Sequence, residues 1–225
     1  MRVKAIAITK PIDENLQAMS PEELTAFIAR VSNPGNQLNN ETAPKLLGYC
    51  IKHQHWSVFE HVSLTVEITT SRAIAAQILR HRSFVFQEFS QRYAEAMDNE
   101  KYPARRQDNK NRQNSIDDMS PEDNEWFDNA QELVWENNFT LYQEALERKI
   151  AKEQARFLLP LSTRTTLYMT GNLRSWVTYC KLRCEKATQL EHREIAKEIW
   201  KILQIHFPNV TEAVINSEFG SSLKE

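Results

Sequence analysis

The chain has 225 residues, 41% of them hydrophobic and 26% charged, with a formal net charge of -2. That length suits one domain with a sizeable core. The slight acidic balance argues against a general nucleic-acid binder, whose phosphate contacts need a basic excess, and no apolar run approaches the roughly 18 residues that cross a membrane.

The opening residues MRVKAIAITKPIDE alternate like a strand over positions 2–9 and carry no secretory apolar core, so a cytoplasmic protein is expected. Ser20-Pro21-Glu22-Glu23 is a helix start, with Ser20 as cap and Glu23 closing a capping box, and this helix should run to about Val31. A loop at Asn33-Pro34-Gly35-Asn36 precedes a second helix from about Pro44 to His53. From His61 to Thr69, Val62, Leu64, Val66 and Ile68 alternate with Ser63, Thr65 and Glu67. That is a strand with one face in the core and the other wet or covering polar chemistry. Ser71 caps a short helix through Leu79, and Arg80 to Tyr93 follows as an irregular or extended segment.

Residues 97–119 are almost free of aliphatics and read as a long mobile loop or lid. Its basic residues Arg105, Arg106, Lys110 and Arg112 either guide an anion or form a solvated loop with the interspersed acids. Ser120-Pro121-Glu122-Asp123 starts a long helix, broken or bent before Ile150, that continues to Leu158 and stops at Pro160. Ser162 to Thr170 is a strand. A helix follows from Asn172 to about Cys184, and a last one spans about Thr188 to Ile205 with Ile195, Ile199, Ile202 and Leu203 as its core stripe. There are no repeats and no strict strand–helix alternation. The expected class is α+β, a single domain with a small, mostly antiparallel central sheet flanked by helices.

Glycine is scarce: Gly35, Gly48, Gly171 and Gly220 stand where average usage gives roughly sixteen. No Gly-rich phosphate loop can be written. Any bound phosphate must therefore be held by side chains, arginines above all. The three cysteines Cys50, Cys180 and Cys184, an odd number without a secretory signal, should be reduced. They read as small core residues, and no metal site is expected.

The densest polar cluster is Arg80-His81-Arg82, seven residues, then Ser90-Gln91-Arg92-Tyr93. Phe84, Val85, Phe86 and Phe89 suggest a partly buried stretch, and buried guanidinium groups need anionic partners. Glu88 satisfies only part of that charge. Two readings fit: a structural ion-pair knot, or a phosphate and nucleotide site. A second cluster is Asn172, Arg174 and Arg183. Asn172 sits at a strand-to-helix junction. Arg174, in the first helical turn, opposes the macrodipole, so something else must favour it. Arg183 lies nine residues on, facing elsewhere. Ser90 has no glycine elbow and no nearby histidine base, so it is expected to orient a ligand rather than form a covalent bond.

The RHR string, seven residues, then serine resembles the signature of flavin-dependent thymidylate synthases. His55-Trp56-Ser57-Val58-Phe59-Glu60-His61 is similar to that family's first block. Ala155-Arg156-Phe157-Leu158-Leu159-Pro160 and Asn172-Leu173-Arg174-Ser175, ending at Leu182-Arg183, are similar to its later ones. Four blocks occur in order across residues 55–183. The resemblance implies reductive methylation of dUMP to dTMP, with FAD as cofactor, NADPH as reductant and methylenetetrahydrofolate as carbon donor. It places His55, Ser57, Arg80, His81, Arg82, Glu88, Asn172, Arg174 and Thr178 against FAD. It places Gln77, Arg80, Glu88, Ser90, Arg92, Arg156 and Arg183 against dUMP. Arg183, the implied catalytic residue, would lie on the uracil and favour ionisation at N3. The family also implies a homotetramer with sites shared between subunits. Val85, Gln87 and Thr178 depart from residues common in the family, which puts individual flavin contacts, Thr178 most of all, in question. Two other functions fit parts of the sequence: a non-enzymatic nucleotide- or RNA-binding module using the 80–112 arginines, and a flavin reductase without methyl transfer.

Overall fold

The computed structural model describes the backbone of residues 1–223 and every side chain among them except those of Ser221 and Ser222. In chain order the elements are β1 (Arg2–Ile8), α1 (Pro21–Ala29), α2 (Ala43–Lys52), β2 (Ser63–Ser71), α3 (Arg72–Ile78), β3 (Val85–Glu88), β4 (Arg106–Gln107), β5 (Ser115–Ile116), α4 (Pro121–Glu147), α5 (Lys152–Ala155), β6 (Arg164–Asn172), α6 (Leu173–Arg183), α7 (Leu190–His206) and α8 (Pro208–Asn216). Short 3₁₀ turns at Trp56–Glu60 and Arg156–Leu158 interrupt the connections.

The alternation of β2 sets the architecture. Leu64, Val66 and Ile68 are all buried on one face, and on β6 Leu167 and Met169 join them. The sheet order is β1-β2-β6-β3, with every neighbouring pair antiparallel. Helices α2, α6, α7 and α8 contribute Leu47, Ile51, Trp176, Ile195, Ile199, Leu203, Val210 and Val214 to the same apolar cluster. The Trp176 indole N–H donates to the Leu64 carbonyl at 3.0 Å, which satisfies its one polar group inside that core. On the opposite face, side chains pair across β2 and β6. The Thr65 and Thr170 hydroxyls are 2.8 Å apart, those of Thr69 and Thr166 are 3.2 Å apart, and Tyr168 donates to Glu67 at 2.9 Å. Such directly opposed pairs stabilise a sheet by a few tenths to about 1 kcal/mol each.

The expected α+β class and antiparallel sheet are what the chain adopts. The helix starts follow their caps. Ser20 accepts from the Glu23 amide while Glu23 reaches back to the Ser20 amide, and Ser71, Ser120 and Asn172 each accept an amide three residues on. The break expected before Ile150 falls at Lys149, whose φ of 63° ends α4 in a left-handed conformation.

Two expectations are corrected. The 97–119 segment is the irregular stretch expected, but it is anchored at its base rather than free. Glu100 and Ala104 are buried. Glu100 accepts from Arg164, and the Tyr102 hydroxyl donates to Ser71. Gln131 of α4 clasps both the N–H and the carbonyl of Tyr102. The tip is the β4–β5 hairpin, with Arg106 in an ion pair with Asp118 and Arg105 on Ser115. Polar bonds rather than aliphatic contacts hold this segment, so its low hydrophobicity is misleading. The second correction is α8, a helix beyond the expected last one. Pro208 opens it and Glu22 of α1 caps it from outside, accepting from the Val210 amide at 2.7 Å and the Asn209 amide at 3.2 Å.

Gly171 shows how tightly the signature segment is seated. A Cβ at that position would lie 2.4 Å from Cδ1 of Phe84, a ring already held edge-on to Trp176 at 4.6 Å between centroids. Gly171→Ala should therefore destabilise the protein by about 1–3 kcal/mol, the usual range for overpacking. The expected readout is a thermal midpoint lowered by several degrees. An unchanged midpoint would mean that Phe84 is free to move aside.

Candidate active site

The antiparallel register of β2 and β6 distributes the polar side chains. Ser63 stands opposite Asn172, and Ser71 opposite Arg164. Each strand runs straight into a helix, so α3 leaves from one end of this ladder and α6 from the other. The eight steps between the nine residues of β2, at about 3.4 Å each, put those ends roughly 27 Å apart.

At the Asn172 end, the 3₁₀ turn Trp56–Glu60 meets the first turns of α6. His55 and Ser57 are exposed there. Asn172 spends its side-chain oxygen on the Ser175 amide at 2.9 Å, and Thr178 donates to the Arg174 carbonyl at 2.9 Å. Arg174 is paired with Glu60 at 2.5 Å. That carboxylate is what favours an arginine at a helix N-terminus. A ligand must share Arg174 with Glu60 or displace it.

In the middle, the C-terminal ends of α3 and α6 converge. Arg183 donates its Nε–H to Nε2 of His81 at 2.9 Å, leaving its terminal nitrogens with no acidic partner among the described residues. Next to His81 lie Tyr179, with ring centroids 4.8 Å apart, and His192, at 6.1 Å. His192 is fully buried and bonded to the Tyr179 hydroxyl at 3.0 Å and to Gln77 at 3.3 Å. Burial, and then the nearby Arg183 charge, push the His81 pKa down to about 4. The same causes, with His81 as a further contributor, push His192 down to about 3. Both rings are neutral near pH 7, which lets His81 accept from an arginine.

These two imidazoles make a stability prediction. Unfolded, each takes up a proton near pH 6.5, but folded only near pH 4 or 3. In the window between, the unfolded chain binds more protons, so stability falls as pH drops below 6.5. The pH dependence of stability measured from 6.5 to 5.5 should lose a slope that grows from about half to about nine-tenths of a proton equivalent in His192→Phe. An unchanged slope would mean that His192 titrates normally.

At the Ser71 end, Arg72 is the organising cation. It pairs with Glu88 at 2.9 Å and donates to the Phe89 carbonyl at 2.8 Å, while Thr165 also donates to Glu88 at 3.0 Å. Burial holds its pKa below the ordinary value, opposed by Glu88 and reinforced by Arg156. Ser90, Arg92 and Arg156 lie on this side, Arg92 paired with Glu153 at 3.0 Å and Arg156 donating to the Glu153 carbonyl at 3.2 Å.

The sequence reading is thus corrected at one point. Arg80, Arg82 and Arg92 are exposed, not buried, and the partner of Glu88 is Arg72, which sequence reasoning did not single out. The available signal is a second arginine in a first helical turn, Arg72 directly after the cap Ser71, as Arg174 stands two residues after the cap Asn172. Arg80 and Arg82 have no acidic partner among the described residues, so no ion-pair knot forms around them. Free guanidinium groups of this kind suit an anionic dinucleotide such as FAD. No described contact joins Gln77 or Arg183 to Glu88, Ser90, Arg92 or Arg156.

The fold and the site define an α+β protein whose nucleotide-binding potential lies in arginines at the ends and centre of an antiparallel sheet, without a glycine loop. Residues 15–209 match the family model described as thymidylate synthase complementing protein. The chain is 55% identical over 215 residues to a flavin-dependent thymidylate synthase of Synechocystis sp., covering 95% of this chain and 99% of that one. It is 51% identical over 215 residues to a probable flavin-dependent thymidylate synthase of Paramecium bursaria Chlorella virus 1, with the same two coverages. Its fold is shared by a UMP/dUMP methylase from Streptomyces cacaoi solved with 5-Br dUMP. The TM-score is 0.77 at 24% identity, and the match covers 96% of this chain and 95% of that one. The chain belongs to the flavin-dependent thymidylate synthase family.

Proposed function

We propose that this chain methylates dUMP to dTMP at a site it completes only as an oligomer. Bound FAD, reduced by NADPH, supplies the hydride, and methylenetetrahydrofolate supplies the carbon; amino-acid side chains can provide neither. What the chain provides is binding and electrostatics. Arg183 is the activating group. Its guanidinium stays charged at any working pH, and set against the O2/N3 edge of uracil it stabilises negative charge developing on the ring. Electron density at C5, where the methyl group is added, rises in consequence.

Gln77, Arg80, Glu88, Ser90, Arg92 and Arg156 hold the nucleotide, the arginines and Ser90 through its anionic oxygens. Ser90 orients without bonding covalently. His55, Ser57, Arg80, His81, Arg82, Glu88, Asn172, Arg174 and Thr178 form the flavin side. The observation that carries the reading is Arg183 itself, tethered at Nε by a neutral histidine and otherwise without an acidic partner. The distance between the two ends of the sheet supports a composite site, with subunits exchanging halves in a homotetramer. Membership of the family does not favour a non-enzymatic nucleotide- or RNA-binding module.

The test is tritium release from dUMP labelled at C5. Release should require FAD, NADPH and methylenetetrahydrofolate together. NADPH oxidation that ignores dUMP, with no release, would leave a flavin reductase in place of this reading.

A further inference from the structure

Gln77 sits in a chain of hydrogen bonds that runs out of the core. The Tyr179 hydroxyl is 3.0 Å from Nε2 of His192, and Nδ1 of His192 is 3.3 Å from the Gln77 side-chain oxygen. The Gln77 amide nitrogen donates to Gln189 at 2.6 Å, and Gln189 donates to the Glu191 carboxylate at 2.8 Å. The donors can be ordered from their partners. A carbonyl oxygen only accepts, so Nδ1 of His192 carries the ring proton. The ring is neutral, so its Nε2 has a lone pair. Burial keeps the Tyr179 phenol protonated, and it donates to that lone pair. Every donor then points the same way, from Tyr179 to the carboxylate of Glu191, an arrangement whose members polarise one another.

Flipping the Gln77 amide would break two of these bonds at once. Its oxygen is committed to His192 and one N–H to Gln189, which leaves the second N–H for the site. We propose that His192, backed by Tyr179, is a positioning residue that fixes the Gln77 amide so that it offers the nucleotide an N–H and meets an acceptor oxygen of dUMP. This rests on the reading of Gln77 as a dUMP contact. Neither His192 nor Tyr179 touches the reacting atoms in this account. They act through Gln77, as His81 acts through Arg183.

The experiment measures dUMP affinity of the flavin-loaded enzyme in wild type, His192→Phe, Gln77→Ala and the double variant. Phenylalanine keeps the volume of the ring and removes both bonds. His192→Phe should weaken dUMP about tenfold, the scale of one oriented hydrogen bond, with flavin content unchanged. Gln77→Ala should weaken it as much, and the double variant should be no worse than Gln77→Ala alone. Gln77→Glu, which replaces the offered N–H by an acceptor, should bind dUMP less well than Gln77→Ala.

Additive losses in the double variant, or no loss in His192→Phe, would overturn the positioning role. Tighter binding by Gln77→Glu than by Gln77→Ala would overturn the donor assignment. A wild-type enzyme without affinity for dUMP would remove the underlying reading as well, whereas affinity with additive losses would remove the positioning role alone. If His192→Phe does not fold, Tyr179→Phe takes its place. It should weaken dUMP severalfold only while Gln77 is present, and an effect that persists without Gln77 would overturn the proposal.

Discussion

Arg183→Ala is expected to lower dTMP formation on the order of 10²-fold or more, the scale of losing one preorganised donor at a developing anion. The guanidinium needs no proton accounting, because it remains charged while the uracil ring gains electron density. Its orientation comes from the bond to Nε2 of His81, 2.9 Å long. Arg183→Lys keeps the charge but loses both the planar fork and the Nε–H that binds His81, so it should fall between. Reduction of the flavin by NADPH requires no uracil anion and should suffer much less. The two half-reactions, measured separately in one variant, decide the role. If both fall together, Arg183 is a scaffold or flavin-binding residue. If neither falls, activation must be sought in Arg92 or Arg156.

Much of this arrangement was legible in the sequence because its causes are local. The caps Ser20, Ser71, Ser120 and Asn172 work within three residues, and the β2 stripe works through alternation alone. The arginines are singled out by the same kind of argument: without glycine loops, phosphates require guanidinium groups. What escaped the sequence depends on distant partners. Helix α8 takes its cap from Glu22, 188 positions before Val210, so no local signature announces it. Arg72 gains its meaning from Glu88 and Thr165 across the sheet. His192 looks like any helical histidine until Tyr179 and Gln77 close around it. The anchoring of the 97–119 segment escapes a hydrophobicity reading because Glu100, Tyr102 and Gln131 hold its base through polar bonds.

Helix α4 carries the other large expected effect. Tyr142 and Ala145 anchor it to the protein with Phe139 and Leu146, yet Trp126, Leu133, Val134 and Leu141 remain exposed, Trp126 at 69% and Leu133 at 58%. With Ala130 they recur at i, i+4, i+7, i+8 and i+15, a spacing that keeps them on one side of the helix. An apolar side of this extent, interrupted by the exposed Asn137, on a helix of 27 residues is the mark of a surface that another chain covers. Under the proposed tetramer, that chain is a second copy. Leu133→Glu with Leu141→Glu should leave the monomer folded, since exposed positions tolerate substitution within about 0.5 kcal/mol. The same pair would bury two unpartnered charges in the assembly, each costing several kcal/mol, so association should weaken on the order of 10³-fold or more. Under the composite site proposed above, turnover should disappear with the assembly. Light scattering and turnover measured across a concentration series follow the two together, with unchanged circular dichroism as the control for folding. A double variant that dissociates and keeps full turnover would refute the composite site, and one that stays assembled would place the subunit contact elsewhere than α4.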